Sequence, residues 1–163
     1  MRYADIKKND IANGQDVCVS FWCQGCPIKC PGCHNESIWD FNGGNEFTPA
    51  TMSEIIQAIS ANGIERNFSI LGGEPLCDEN IFLTHLIIQE VRKHYPNIKI
   101  FLWTGYYYKD LKKKNDSHLD YILNNINYLI DGPYIQEQRD ITLKLRGSRN
   151  QHIIKMPDGI IDE

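Results

Sequence analysis

The stretch "NFSILGG" (67–73) decides how this chain folds. It is short, apolar and rich in β-forming residues, and it ends in two glycines. A strand that runs into a glycine turn and then into a helix is half of a βαβ unit. The helix is supplied by "ENIFLTHLIIQEVRKHYP" (79–96). Phe82, Leu86 and Gln89 share one side of it, Leu83, Ile87 and Val91 lie alongside, and Pro96 stops it. Working outward, "DVCVSFW" (16–22), "IKIFLWTG" (98–105), "NYLIDGP" (127–133) and "HIIKM" (152–156) read as further strands. "TMSEIIQAISANG" (51–63) reads as a helix opened by Thr51 and Glu54 in capping-box spacing. Ile55, Ile56 and Ile59 form its apolar face, and Gly63 ends it. "SHLDYILNNI" (117–126) reads as another helix, with Leu119, Ile122 and Leu123 inward, and "FNGGNEFTP" (41–49) as a loop. Alternating strands and helices predict a parallel sheet.

The unusual residues fall at one place in this pattern. The four main strands run into "CQGC", "GGEP", "TGY" and "DGP", each with glycine at or just past the strand's C-terminal end. In open α/β sheets and barrels, that edge binds ligands. Any one of these glycines could serve only a tight turn; four such loops, one rich in cysteine, point to a site. The chain has 163 residues, which suggests one domain spanning 1–163. A complete eight-unit barrel needs roughly 250 residues, so the expected fold is an α/β open partial barrel.

Composition narrows the function. Apolar content is 42%, charged content 23% and the formal net charge −4. This balance gives no electrostatic footprint for nucleic acid or an anionic membrane. The N-terminus has no apolar signal region, and no run of about 18 apolar residues occurs. A cytoplasmic protein is therefore expected, whose six cysteines serve as thiols or metal ligands. Four of them fall within "CQGCPIKCPGC" (23–33), which allows two arrangements. In a closed site, Cys23, Cys26, Cys30 and Cys33 hold zinc or a stable iron–sulfur cluster. In an open site, only Cys26, Cys30 and Cys33 bind, and one iron of a cubane is left free. Cys18 and Cys77 read as packed thiols, and Lys109, Lys112, Lys113 and Lys114 as a solvated surface.

Cys26-Pro-Ile-Lys-Cys30-Pro-Gly-Cys33 resembles the three-cysteine motif of radical S-adenosylmethionine (SAM) enzymes, and Gly72-Gly73-Glu74-Pro75 resembles their second motif. "WTGY" (103–106), "DGPY" (131–134) and "LRGSRNQ" (145–151) follow in order. Over residues 14 to 155 this succession is similar to the family that activates anaerobic ribonucleoside-triphosphate reductases. The resemblance implies a radical SAM partial barrel carrying a [4Fe–4S] cluster on Cys26, Cys30 and Cys33, with SAM chelating the fourth iron. It implies contact of Gly72, Gly73 and Glu74 with the methionine end of SAM. His34 and Asn35 become candidates beside the cluster loop, Thr104 and Tyr106 at the strand end, and Asp131 at a ribose hydroxyl. Arg146, Ser148 and Asn150 become candidates for SAM or partner contact. The implied partners are the glycyl-radical reductase and a flavodoxin-like electron donor. Two departures stand out. Gly32 replaces the aromatic residue common before the third cysteine, and His152 stands where arginine is expected. Other small radical SAM enzymes and a non-enzymatic four-cysteine module are the alternative readings.

Overall fold

The computed structural model describes residues 1–163. Its strands are β1 (Arg2–Asp10), β2 (Cys18–Cys23), β3 (Asn45–Glu46), β4 (Asn67–Gly72), β5 (Ile100–Trp103), β6 (Tyr128–Asp131), β7 (His152–Lys155) and β8 (Ile160–Ile161). Its helices are α1 (Pro49–Ile59), α2 (Ile81–His94), α3 (Tyr108–Leu111) and α4 (Ser117–Asn125). All strands join one open sheet in the order β3-β1-β2-β4-β5-β6-β7-β8.

The centre of the sheet, β2-β4-β5-β6, is parallel, as the strand–helix alternation predicts. The expectation of a parallel sheet throughout is corrected at both sides. Strands β3 and β1 enter antiparallel before β2, and β7 and β8 leave antiparallel after β6. Antiparallel pairings thus outnumber parallel ones. The connections explain this. A crossover helix lies between consecutive central strands, whereas no α-helix separates β1 from β2 or β6 from β7, and a short turn joins β7 to β8.

Alternation along each central strand builds two different faces. Val19, Phe21, Phe68, Ile70, Ile100, Leu102 and Leu129 meet the inward faces of α1, α2 and α4 in one apolar core. The opposite face carries Ser20, Ser69, Trp22, Leu71 and Trp103. Turns cover it: Ser69 Oγ donates to the Asn13 carbonyl at 2.6 Å, Ser20 Oγ to Asp10 at 2.7 Å, and Trp103 Nε1 to the Leu145 carbonyl at 2.7 Å.

Local signals shift in two places. Helix α1 starts earlier than the Thr51–Glu54 pair predicts. Thr48 is the N-cap, Pro49 opens the helix, and Thr51 closes a reciprocal capping box with Thr48. Phe82, placed on an apolar face of α2 by periodicity, is 49% exposed. The buried stripe of that helix keeps the expected Leu83, Ile87 and Val91 and adds Ile81, Thr84 and Ile88.

Candidate functional site: a cysteine-lined cavity

The C-terminal ends of β2, β4, β5 and β6 converge on a cavity of about 150 Å³. Cys26, Cys30 and Cys33 line it from the loop after β2, Asn35 from the end of that loop, Gly72 to Glu74 from the turn after β4, and Thr104 from the end of β5. Eight of the residues singled out from sequence are therefore brought together.

The cysteine loop is held from three directions. At its entrance, Gly25 N–H donates to the Ile38 carbonyl at 2.7 Å and Cys26 N–H to the Trp39 carbonyl at 3.1 Å. The turn after β4 is stitched to it by Gly73 N–H to the Cys23 carbonyl and Glu74 N–H to the Gly25 carbonyl, both 2.9 Å. The backbone N–H of Tyr134 lies against the Cys30 thiol. Gly73 is required by this stitching, because a Cβ there would sit 2.2 Å from the Gly25 carbonyl oxygen. Gly73→Ala is expected to push the two loops apart, lowering the melting temperature by about 5 °C or more and reducing iron uptake; thermal melts and iron analysis check both.

Burial pushes the Cys26 and Cys30 thiols up, opposed at Cys26 by the backbone N–H groups of Lys29 and Ile28. Coordination reverses that preference, since a bound metal takes thiolate. No three His, Cys, Asp or Glu side chains converge tightly enough to hold a single metal ion. Three half-buried thiols spread around one cavity nevertheless form a soft donor set of the kind that takes iron–sulfur. They would hold such a cluster at the cavity wall.

Cys23 is set apart. It is 3% exposed, packs with the apolar core between sheet and helices, and does not line the cavity. Burial first, then the neighbouring Glu74 and Cys77, push its thiol well above the usual range. Cys18 and Cys77 are also buried, and burial pushes the Cys77 thiol up to about 12.

Glu74 is 1% exposed, and both of its oxygens meet internal donors. Gly105 N–H donates to Oε1 at 2.6 Å, while Leu76 N–H at 2.9 Å and Thr104 Oγ1 at 2.8 Å donate to Oε2. The carboxylate therefore clamps the turn after β4 to the loop after β5, and its backbone neighbours Gly72 and Gly73 face the cavity. Burial raises its pKa to about 7 against these donors. Asn35 makes no side-chain cap on the helical turn that follows it; its Nδ2 reaches the Gly72 carbonyl at 3.4 Å.

A second cavity of about 450 Å³ adjoins the first, sharing Cys33, Asn35 and Tyr134 with it. His34 and Arg146 line this one. Arg146 bonds the Lys144 carbonyl and Glu163, while its Nε is buried without a partner. Asp131 and Ser148 reach neither cavity. Asp131 accepts from Tyr108 N–H at 2.9 Å and from His152 N–H and Nδ1 at 3.1 Å, so the unexpected His152 is its partner. Ser148 Oγ donates to Asn150 at 2.6 Å and accepts from Ile135 N–H, fixing its loop. Asn150 likewise holds the Pro133 carbonyl and the Tyr107 hydroxyl.

Sequence reasoning missed Tyr134. Its ring lies beside Gly32, where a Cβ would come within 3.5 Å of Tyr134 Cε1, and 5.7 Å from the His34 ring. An aromatic ring thus stands next to the third cysteine although position 32 carries none. Trp103 and Gln151 also line the first cavity. Tyr134 and Trp103 were visible within "DGPY" and "WTGY", but nothing in the chain marked their side chains as site-facing.

Comparison with known proteins fits this arrangement. The model of the 4Fe-4S single cluster domain family matches residues 12–154. The anaerobic ribonucleoside-triphosphate reductase-activating protein of Escherichia coli K12 is 35% identical over 152 residues, covering 93% of this chain and 96% of the relative. This chain belongs to that family. The activating protein of Vibrio cholerae is 34% identical over 94% of this chain and 97% of its own length. That of Enterobacteria phage T4 is 34% identical over 98% and 97%. Within the family of activating proteins, the cysteine loop and the Gly72–Glu74 turn stand at one cavity edge here.

Proposed function

We propose that this protein activates an anaerobic ribonucleoside-triphosphate reductase through radical SAM chemistry, with residues 1–163 forming one radical SAM domain. Family membership supports the activating role and the 4Fe-4S cluster. The observation that carries the radical SAM reading is the separation of Cys23 from the cavity: three thiols face it and the fourth lies in the core. Three ligands on a cubane leave one iron free for a substrate, whereas four would make an electron carrier.

In this reading Cys26, Cys30 and Cys33 hold the cluster, and the Gly72–Gly73 backbone edge takes the amino end of SAM. His34 and the Tyr134 ring flank the adenine side. Glu74 and Thr104 hold the loops in register and do not touch the chemistry. When bound, the reduced cluster and SAM would supply a 5′-deoxyadenosyl radical able to take hydrogen from a glycine of the reductase. The residues of this chain bind, orient and shield that chemistry from water. No helix is long and apolar enough to cross a membrane, and we place the protein in the cytoplasm, with a flavodoxin-like donor.

The test is direct. Under anaerobic reducing conditions, the cluster-loaded protein, SAM and purified reductase are expected to give a glycyl radical doublet by electron paramagnetic resonance. The signal should disappear when SAM is omitted. Absence of the doublet with a SAM-cleaving protein would point to another small radical SAM enzyme.

A further inference from the structure

Residues 106–114, "YYYKDLKKK", carry four lysines and one aspartate in a chain of net charge −4. The segment is built as a ridge rather than a loose tail. Leu111 is 1% exposed and anchors α3 in the core, and Asp131 accepts the Tyr108 N–H at its start. Three lysines lie over neighbouring rings: Lys114 Nζ is 4.9 Å from the Tyr106 centroid, Lys109 5.6 Å from Tyr107, and Lys112 5.0 Å from Tyr108. Cation–π contact and ring packing hold these charges in place while leaving them open to solvent.

The position of the ridge gives it meaning. It follows directly on Gly105, which lines the cysteine cavity and donates to Glu74. Tyr106 packs against the core, and its N–H donates at 3.2 Å to the hydroxyl of Thr104, which lines the cysteine cavity. None of residues 106–114 lines the larger cavity that holds His34 and Arg146. The ridge therefore does not border that cavity.

We infer that the Tyr106–Lys114 ridge docks an acidic protein that carries a one-electron donor. The inference rests on the cluster reading above. The carrier loses one electron and the cluster gains it, with no bond made or broken. Charge complementarity selects the partner: an acidic surface is attracted to this ridge and repelled by the remaining net-negative surface, which orients it next to Gly105 at the cysteine cavity. The larger cavity, which the ridge does not line, stays free for the reductase.

The probe is a purified acidic flavodoxin with the cluster-loaded protein. Its dissociation constant is measured by calorimetry at low and high salt. Cluster reduction by flavodoxin hydroquinone is compared with reduction by dithionite. The K109E/K112E/K113E/K114E variant is expected to bind about tenfold or more weakly at low salt and to lose its salt dependence. Its reduction by flavodoxin should slow while reduction by dithionite is unchanged. Lys114→Gln should give a smaller loss in the same direction, and Lys93→Glu, at the end of α2, no loss. Unchanged flavodoxin affinity in the fourfold variant would overturn the inference. So would an unchanged flavodoxin affinity accompanied by weakened binding of the reductase. Wild-type protein that binds flavodoxin through the ridge but assembles no cluster would uphold the docking surface and count against the cluster reading.

Discussion

Alanine at Cys26, Cys30 or Cys33 is expected to reduce reconstituted iron from about four per chain to below about one, whereas Cys23→Ala keeps the full complement. The asymmetry follows from placement. The first three thiols line the cavity, while Cys23 packs with the core below the C-terminal end of β2. Loss of one of three ligands opens the cluster to solvent and to release. Loss of the Cys23 thiol removes only buried volume, about 1 kcal/mol of packing, and should appear as a small drop in melting temperature. Iron and sulfide analysis with the visible absorption spectrum checks all four variants. Loss of iron in the Cys23 variant at a retained fold would make the site a closed four-cysteine one.

Replacing Glu74 by alanine is expected to be the most destabilising change near the site. It leaves the Gly105 and Leu76 N–H groups and the Thr104 hydroxyl without their acceptor. Orphaned buried groups of this kind cost about 1–3 kcal/mol each, so a loss of about 3–5 kcal/mol follows, allowing for partial relaxation. Glutamine keeps one acceptor oxygen and should be milder. The same residue makes a pH signature. Burial raises the Glu74 carboxyl from 4.5 to about 7, so the native state holds this proton more tightly than the unfolded chain. Its contribution is therefore complete below the unfolded value and is lost as pH rises through about 7, a change of about 3 kcal/mol across that window. Thermal melts of the cluster-free protein between pH 5 and 8 should show wild type losing stability with rising pH more steeply than Glu74→Gln. Parallel pH profiles for the two proteins would mean that the carboxyl does not titrate in this range.

The part of the fold legible in sequence was the part with strong periodicity and punctuation. Strands β2, β4, β5 and β6 and helices α2 and α4 stood within a few residues of their expected limits, because apolar runs ended in glycine, proline or an asparagine pair. Strand β1 escaped notice, since "RYADIKKND" is heavily charged and only its last residue is buried, as suits a strand near a sheet edge. Strand direction also escaped: "HIIKM" reads the same whether it pairs parallel or antiparallel, and its sense is set by a connection from β6 that forms no crossover α-helix. At the site, the contiguous motifs carried over well. Cys26, Cys30, Cys33 and Gly72 to Glu74 converge because each motif ends a neighbouring parallel strand. Isolated polar residues carried over poorly. Asp131 ends β6 beside the site, yet its carboxylate turns to Tyr108 and His152, and no sequence pattern distinguishes those two directions. The approach of Tyr134 to Gly32 joins residues about a hundred positions apart, which only the finished sheet brings together.

The most direct test of the central claim is an anaerobic electron paramagnetic resonance spectrum of the reconstituted, reduced protein before and after adding SAM. A reduced cubane signal whose shape shifts with SAM is the predicted result, because SAM must reach an iron that the three cysteines leave free. A cluster signal indifferent to saturating SAM would contradict the account and make this protein a four-ligand electron carrier.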